Sequence, residues 1–353
     1  MFLRCLLPLL IGLGLVAGTV AVADESKKTP TVDERIRAEA KNAPLEMRFK
    51  GTTADECRAW QKEFTAKLRE ALGPYDPPKQ WKVTSVRKVE HDDYTFEDVI
   101  LEAKGHPSLP LCVLTPKNAA KGKHAGILAL HGHGPRGHLA IGEGESGRTL
   151  VRAGYVVVTP CFTPFGVRLG KAEDYGKQDP CGITFIRLQL LGKLLIAENL
   201  RDSLWAMEFL AARPEVNPER LGCVGLSYGG RMCMLTAALE PRIKIAVVAG
   251  ALNVMQERIE VKYSCGAQVI PGLLKYGDVP EIGSLIAPRP AIWQWGTNDT
   301  LIKPEWAEEA SKRMRVAYKA LGASDNFMID RFEGGHAWHW DGALPELQKV
   351  LQK

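Results

Sequence analysis

No charge of one sign dominates this chain. Its 46 lysines and arginines against 41 aspartates and glutamates leave a formal charge of +5, with both signs scattered along the sequence. No basic stripe with interleaved aromatics is present, which argues against nucleic acid as a partner. No Cys-x-x-Cys spacing occurs, and there is no internal repeat and no low-complexity tract. After residue 22 there is no second long apolar run, so the body of the protein is expected to lie outside the membrane. What is there is ordinary globular composition: 45% hydrophobic and 25% charged residues exclude a disordered chain. The 353 residues suffice for one large α/β domain with decoration.

The beginning of the chain reads as a targeting segment. Arg4 precedes an uncharged apolar run from Cys5 to Val22 that ends in Ala21-Val22-Ala23, followed at once by Asp24-Glu25. The small residues fit an export-peptidase site, so residues 1–23 are expected to be a signal peptide cleaved before Asp24. The competing reading is an uncleaved membrane anchor. No lipobox-like cysteine closes the run. The expected location is therefore secreted or periplasmic, with no stable membrane insertion after cleavage. Seven cysteines would remain, an odd number, so at least one thiol is free or pairs outside the chain. Cys223 and Cys233 are expected to be buried small hydrophobes. Cys161 and Cys181 flank a loop rich in Gly and Pro and are candidates for a bridge.

Residues 24–43 are polar and read as a flexible leader; together with the helix that follows they make a 24–80 segment. Cys57, Trp60, Phe64, Leu68 and Leu72 recur at helical spacing over 53–73, and Gly73-Pro74 ends the helix. Residues 81–353 form the expected catalytic domain. It opens with three successive strands at 81–90, 94–104 and 109–115, an antiparallel extension of a larger sheet. From 124 onwards short apolar runs alternate with helical segments. The runs are 125–130, 154–160, 221–226, 243–248, 290–295 and 327–332, and the helices are 145–153, 194–213, 228–239 and 304–322. That alternation predicts an α/β fold with a mainly parallel sheet flanked by helices.

Gly225-Leu226-Ser227-Tyr228-Gly229 matches G-x-S-x-G between a buried strand and a helix. This context makes Ser227 the candidate nucleophile: the chain turns sharply, the glycines remove Cβ atoms that would clash, and the hydroxyl is presented at a helix N-terminus. A serine hydroxyl needs a histidine base held by a carboxylate, and such an elbow carries them in the chain order Ser, acid, His. Only His336 and His339 follow Ser227 among the eight histidines. His336 sits in Glu333-Gly334-Gly335-His336, whose glycines allow a tight loop, and is preferred. Asp299 ends the apolar run Trp295-Gly296-Thr297-Asn298-Asp299 at the carboxyl edge of the sheet, where ligands gather. The competing Asp330 lies inside a strand and Asp341 lies beyond the histidine.

The loop Leu130-His131-Gly132-His133-Gly134 is placed to supply the second oxyanion donor, beside the N–H of Tyr228. Gly132 and His133 are the candidates there. His131, His133 and His138 could instead gather a metal, but no acidic or cysteine ligand lies near in sequence, so loop shaping is preferred and no metal is expected. The long connection 161–197 is expected to build the substrate pocket, with Phe162, Phe165 and Trp338 as lining residues. Trp293, Trp295, Trp338 and Trp340 are a candidate sugar platform, with core packing as the alternative.

Together these motifs resemble the α/β-hydrolase superfamily, in the branch of dienelactone hydrolases and acetyl xylan esterase-like enzymes. The match runs from about 81 to the C-terminus. It includes 130–134, Asp202 with the helix end Arg213-Pro214-Glu215-Val216, 225–230, 296–299 and 334–336. Dienelactone hydrolases proper carry a cysteine nucleophile where this chain has Ser227. Acetyl xylan esterases carry Ser-Gln and an Arg-Gly-Gln loop where this chain has Ser227-Tyr228 and His-Gly-His-Gly. The resemblance implies a serine hydrolase of carboxylic esters, carbohydrate-linked ones included, with no metal and no organic cofactor. A peptidase related to prolyl oligopeptidase catalytic domains is the alternative, although the residues ahead of His131 are too few for a propeller. A non-catalytic binding protein on the same fold is a third reading, disfavoured because all three candidate catalytic residues are present.

Overall fold

A computed structural model describes residues 30–117, 119, 121–261 and 265–352. The expected signal peptide, residues 1–23, lies outside these. The polar leader is not wholly irregular. Val32–Lys41 is a helix whose N-terminus is closed by a capping box between Thr31 and Glu34, with Asp33 also in the first turn. None of its side chains is buried, so the apolar periodicity that betrays a helix is missing. The chain after it is tied down: the amides of Glu46 and Met47 donate to the carbonyls of Lys275 (2.9 Å) and Tyr276 (2.8 Å). The second helix is Ala54–Leu72, capped by Thr53 and Glu56, and it buries Cys57, Trp60, Phe64, Leu68 and Leu72 as the spacing predicts.

Among the described residues nine strands form one sheet: β1 Lys82–Glu90, β2 Tyr94–Glu102, β3 Leu109–Pro116, β4 His124–Leu130, β5 Val156–Pro160, β6 Val216–Leu226, β7 Ile243–Ala249, β8 Ala291–Gly296 and β9 Phe327–Phe332. Their order is β1-β2-β3-β5-β4-β6-β7-β8-β9. The first three strands pair antiparallel and join β5 antiparallel; from β5 to β9 every pair is parallel. This is the mainly parallel sheet with an antiparallel start that the sequence predicts.

Alternate residues of the central strands feed opposite faces. Leu128, Leu130, Ala246 and Val248 pack with the helices Leu195–Ala211, Tyr228–Leu239 and Pro304–Ala320, while Ile127, Ala129, Ile245 and Val247 pack with Glu145–Arg152 and Trp340–Leu351. Each fully buried aliphatic side chain contributes about 1.5–3 kcal/mol, so burial on both faces fixes strand register. The last helix, Trp340–Leu351, has no counterpart in the sequence reading. Gly342 and Pro345 early in it look like a turn, yet its Ala343, Leu347 and Leu351 are buried at helical spacing.

All seven described cysteines are unbridged and buried. The candidate Cys161–Cys181 bridge is not formed: Cys161 Sγ donates to the Phe165 carbonyl at 3.2 Å, and Cys181 lies beside Cys265 instead. Cys233 Sγ donates to the Cys223 carbonyl at 3.3 Å, consistent with both acting as small core residues. Among the described residues no single helix is long and apolar enough to cross a membrane.

Candidate active site

Strand β6 runs into Ser227, which adopts φ 63° and ψ −120° before the helix Tyr228–Leu239 begins. A non-glycine residue in this region costs about 1–3 kcal/mol and persists only where its surroundings hold it. Here they do. The Ser227 amide donates to the Ala249 carbonyl at 2.9 Å, and its carbonyl accepts the Arg231 amide at 3.0 Å. Close approach explains the flanking glycines: a Cβ on Gly225 would lie 2.0 Å from the Gly229 carbonyl oxygen, and one on Gly229 would lie 1.9 Å from that of Leu130. The end of β4 is thereby pressed against the elbow, and a Cβ on Gly132 would stand only 3.7 Å from Ser227 Oγ.

The loop after β4 is fixed by His131. The Phe162 amide donates to its Nε2 at 2.9 Å, so the proton sits on Nδ1, which donates to the Gly132 carbonyl at 2.8 Å. Burial pushes this imidazole down to about 3 from the usual 6.5, against the opposing pull of the Gly132 carbonyl. It is therefore neutral in the folded protein, whereas in the unfolded chain it takes up a proton below pH 6.5. Lowering the pH through that window favours unfolding, by at most about 1.4 kcal/mol per pH unit. Urea unfolding of wild type and His131→Asn between neutral pH and about pH 5 checks this: the wild type should lose more stability than the variant, and parallel losses would refute the assignment.

Tyr228 is a pillar behind the elbow. Its hydroxyl accepts a 2.6 Å hydrogen bond from Asn199 Nδ2, and Asn199 also holds both backbone groups of Thr163, each at 2.9 Å. Arg168 pairs with the fully buried carboxylate of Asp202 and donates to the Cys161 carbonyl. The connection after β5 is thus anchored to the helix Leu195–Ala211. The backbone N–H of Tyr228 itself is among the helix's first amides, which have no intrahelical acceptor.

His336 and Asp299 come together as the sequence predicts. His336 Nδ1 lies 2.7 Å from Asp299 Oδ2, and Asp299 Oδ1 accepts the Leu301 amide at 2.8 Å. The loop carrying His336 folds over Gly296, where a Cβ would lie 2.3 Å from the carbonyl oxygens of Gly334 and Gly335. Its ring rests on Gly250, with a hypothetical Cβ 2.6 Å from Cε1, on the same turn that receives the Ser227 amide. His336 Nε2 is buried and has no hydrogen-bond partner among the described residues. His339 belongs to a separate pair: its Nδ1 lies 2.9 Å from both oxygens of Asp330, which also accepts from Gln294.

A cavity of about 240 Å³ opens beside Ser227, lined also by His133, Asp179, Tyr228, Arg231, Asn253, Arg258, Cys265 and Gln268. A larger apolar cavity of about 510 Å³, walled by Met234, Leu235, Ile270 and Leu273, adjoins it through Arg231 and Gln268. The expected pocket residues are placed elsewhere. Phe162 and Phe165 are buried and pack on His131 and Tyr228 behind the cavity. Trp338 stacks on Trp340 at 4.7 Å and packs with the core on the far face of the sheet; Trp293 and Trp295 are core residues. The four tryptophans form no platform at Ser227. Asp179 is the part of the 161–197 connection that reaches the cavity.

Two buried arginines were missed by the sequence reading. Arg231 Nη2 donates to Asn253 at 2.8 Å, and Arg258 Nη1 donates to the Leu301 carbonyl at 2.8 Å, while Arg231 Nη1 and Arg258 Nε have no partner among the described residues. Neither forms an ion pair among the described residues. Burial, and then the Arg258 charge, lowers Arg231 to about 10; burial also lowers Arg258. Both stay cationic at neutral pH. Arg231 was legible as the lone charge in Tyr228–Leu239, one turn after Ser227. His131, His133 and His138 do not converge on one point: His131 locks the loop, His138 pairs with Asp98 at 3.4 Å, and His133 Nε2 meets Cys265 Sγ at 3.0 Å. The Cys181 thiol donates toward Cys265, which draws Cys265 below the usual thiol range and raises Cys181.

Comparison with known proteins agrees with this architecture. Residues 115–272 match the model of the dienelactone hydrolase family. The chain is 30% identical over 287 residues to YtaP of Bacillus subtilis (strain 168), a protein named as a hydrolase, covering 78% of this chain and 93% of that one. Among solved structures it resembles a protein of Bacteroides fragilis NCTC 9343 named as an acetyl xylan esterase, with TM-score 0.74, 18% identity and coverage of 88% and 84% of the two chains. It also resembles a glucuronoyl esterase from Solibacter usitatus, with TM-score 0.63, 16% identity and coverage of 86% and 95%. The strand–Ser227–helix elbow, the sheet that carries it and these similarities lead to one conclusion: the chain belongs to the dienelactone hydrolase family, with the α/β-hydrolase fold.

Proposed function

We propose that the protein is an exported serine esterase that cleaves a carboxylic ester bearing an anionic group, through an acyl-enzyme on Ser227. The observation that carries the reading is the state of His336: Nδ1 is held by Asp299, and Nε2 is buried without a partner on the turn that also holds Ser227. A base in waiting needs that arrangement, and the hydrogen bond to the nucleophile commonly tightens only when substrate is present. Ser227 Oγ attacks the ester carbonyl as its proton passes to His336 Nε2. The negative charge on the carbonyl oxygen is met by the N–H of Tyr228 and that of His133, on the loop whose Gly132 passes beside Ser227. His336 then returns the proton to the departing alcohol. Water, deprotonated by the same imidazole, then attacks the acyl carbon; the bond to Ser227 Oγ breaks, Oγ takes the proton back from His336, and the acid leaves. Asp299 keeps the imidazole in the Nδ1–H tautomer and stabilises its charged form.

The two arginines favour an anionic substrate. Neither buried guanidinium has a direct carboxylate partner among the described residues, only the more distant charges of Asp278 for Arg231 and Asp299 for Arg258; a carboxylate, sulfate or phosphate on the substrate would offset the remaining cost of burial. Such an ester can be a small molecule or part of a carbohydrate, and the solved structures named as acetyl xylan and glucuronoyl esterases make carbohydrate esters the first to assay. The described residues before β4 form two helices and three strands, which weighs against the prolyl-oligopeptidase-like reading. Export rests on the 1–23 segment, and the proposed partner is the ester alone, with no nucleic acid.

The test compares matched pairs of esters that differ only in one negative charge. Arg231→Met should lower kcat/KM about 10- to 100-fold for the anionic member, the worth of one charge-assisted hydrogen bond, and leave the neutral member within a few-fold. Equal losses for both members would remove Arg231 from substrate recognition.

A further inference from the structure

We propose that His133, Cys181 and Cys265 form a site for a thiophilic divalent cation of the zinc class, beside the Ser227 cavity. One donor atom from each residue lies within 4.8 Å of the other two. The three come from separate parts of the chain: the loop after β4, the first turn of the helix Pro180–Leu190, and the residue before the short turn Gly266–Gln268. Packing presses the two cysteine segments together. A Cβ on Gly266 would lie 2.5 Å from Phe185 Cβ and 3.1 Å from the Cys181 carbonyl oxygen. The ring of His133 is held between Phe165 and Tyr228, at centroid distances of 5.2 and 5.4 Å. Both thiols are buried and unbridged.

Two thiolates and one imidazole suit a tetrahedral zinc ion. Bonds of about 2.3 Å to sulfur and about 2.0–2.1 Å to nitrogen require donor atoms a little under 4 Å apart, within the spread of this cluster. Three protein ligands leave the fourth position to water or a ligand. His133 and Cys265 also line the Ser227 cavity, so the ion would border it. Bound there, it ties the helix Pro180–Leu190 to the loop that passes Ser227. A second group, Asp98, Cys112 and His138, has its histidine already paired with its carboxylate and serves as the control. The inference does not rest on the esterase reading, and its test needs no substrate.

The full chain, reduced and stripped with a chelator, is titrated with cobalt(II) under anaerobic conditions. The expected result is one equivalent bound with thiolate-to-cobalt charge-transfer absorption, displaced by zinc, and a higher Tm with either ion. Cys181→Ser and Cys265→Ser should each abolish the charge-transfer band; Cys112→Ala should keep it. Wild-type protein alkylated with and without zinc, and read by peptide mass, covers the case in which a variant fails to fold: zinc should protect Cys181 and Cys265 and leave the other thiols unaffected. No charge-transfer absorption in wild type, or a band retained in both serine variants, would overturn the proposal. So would a Cys181–Cys265 disulfide forming on exposure of the zinc-loaded protein to air.

Discussion

Alanine at Ser227 or at His336 lowers turnover by about four to six orders of magnitude, and the double variant is little worse than either alone. The expectation follows from how the two groups work. Ser227 is held at φ 63° by the turn Ala249–Gly250, and the His336 ring rests on the same turn. Removing the nucleophile leaves the base with nothing to activate, and removing the base leaves the hydroxyl protonated, so the losses overlap instead of adding. His339→Ala is the informative companion. Its ring is engaged by Asp330 and stacks on Phe332 at 4.8 Å, and turnover in that variant should stay within a few-fold of wild type. Steady-state kinetics on all four proteins, with Tm as the folding control, checks the set. A dead His339→Ala beside an active His336→Ala would move the base to the other pair.

Asp299→Asn is expected to keep the fold and lose about four orders of magnitude in turnover. The asparagine carbonyl can still accept the Leu301 amide that Asp299 Oδ1 now receives. Its NH2 group then faces His336 Nδ1, where the carboxylate oxygen stood at 2.7 Å. Two donors cannot share that contact, so the imidazole shifts its proton to Nε2 and can no longer accept one from Ser227. Asp330→Asn should behave oppositely, loosening the Gln294 and His339 contacts and lowering Tm while turnover survives. Kinetics and thermal unfolding of the two variants separate the pairs; near-wild-type turnover in Asp299→Asn would remove Asp299 from the mechanism.

Much of this was legible because local rules and the fold agree. Strands buried on both faces announce themselves as continuous apolar runs, and β9 was placed to the residue. The elbow was legible because its glycines answer to close contacts, Gly225 with Gly229 and Gly229 with Leu130. Asp299 and His336 were singled out by chain order and loop glycines, and the structure brings the two side chains within hydrogen-bonding distance. The pocket was not legible. Phe162 and Phe165 look like lining residues in sequence, but their connection turns inward, held by Asn199 and Asp202, and the aromatics pack on His131 and Tyr228. The cavity wall comes instead from Arg231, Asn253, Arg258, Cys265 and Gln268, most of them in a stretch with little periodicity. The Val32–Lys41 helix was hidden because it buries none of its side chains, and Trp340–Leu351 because Gly342 and Pro345 resemble a turn.

The proposed mechanism requires Ser227 Oγ to carry the acyl group. Reaction of the full chain with a fluorophosphonate, which stays on an activated serine, followed by peptide mass mapping, tests this without knowledge of the natural ester. The predicted result is a single adduct on Ser227, slowed by competing ester and absent from Ser227→Ala. An adduct on another residue such as Cys265, or full ester hydrolysis by Ser227→Ala, would contradict it.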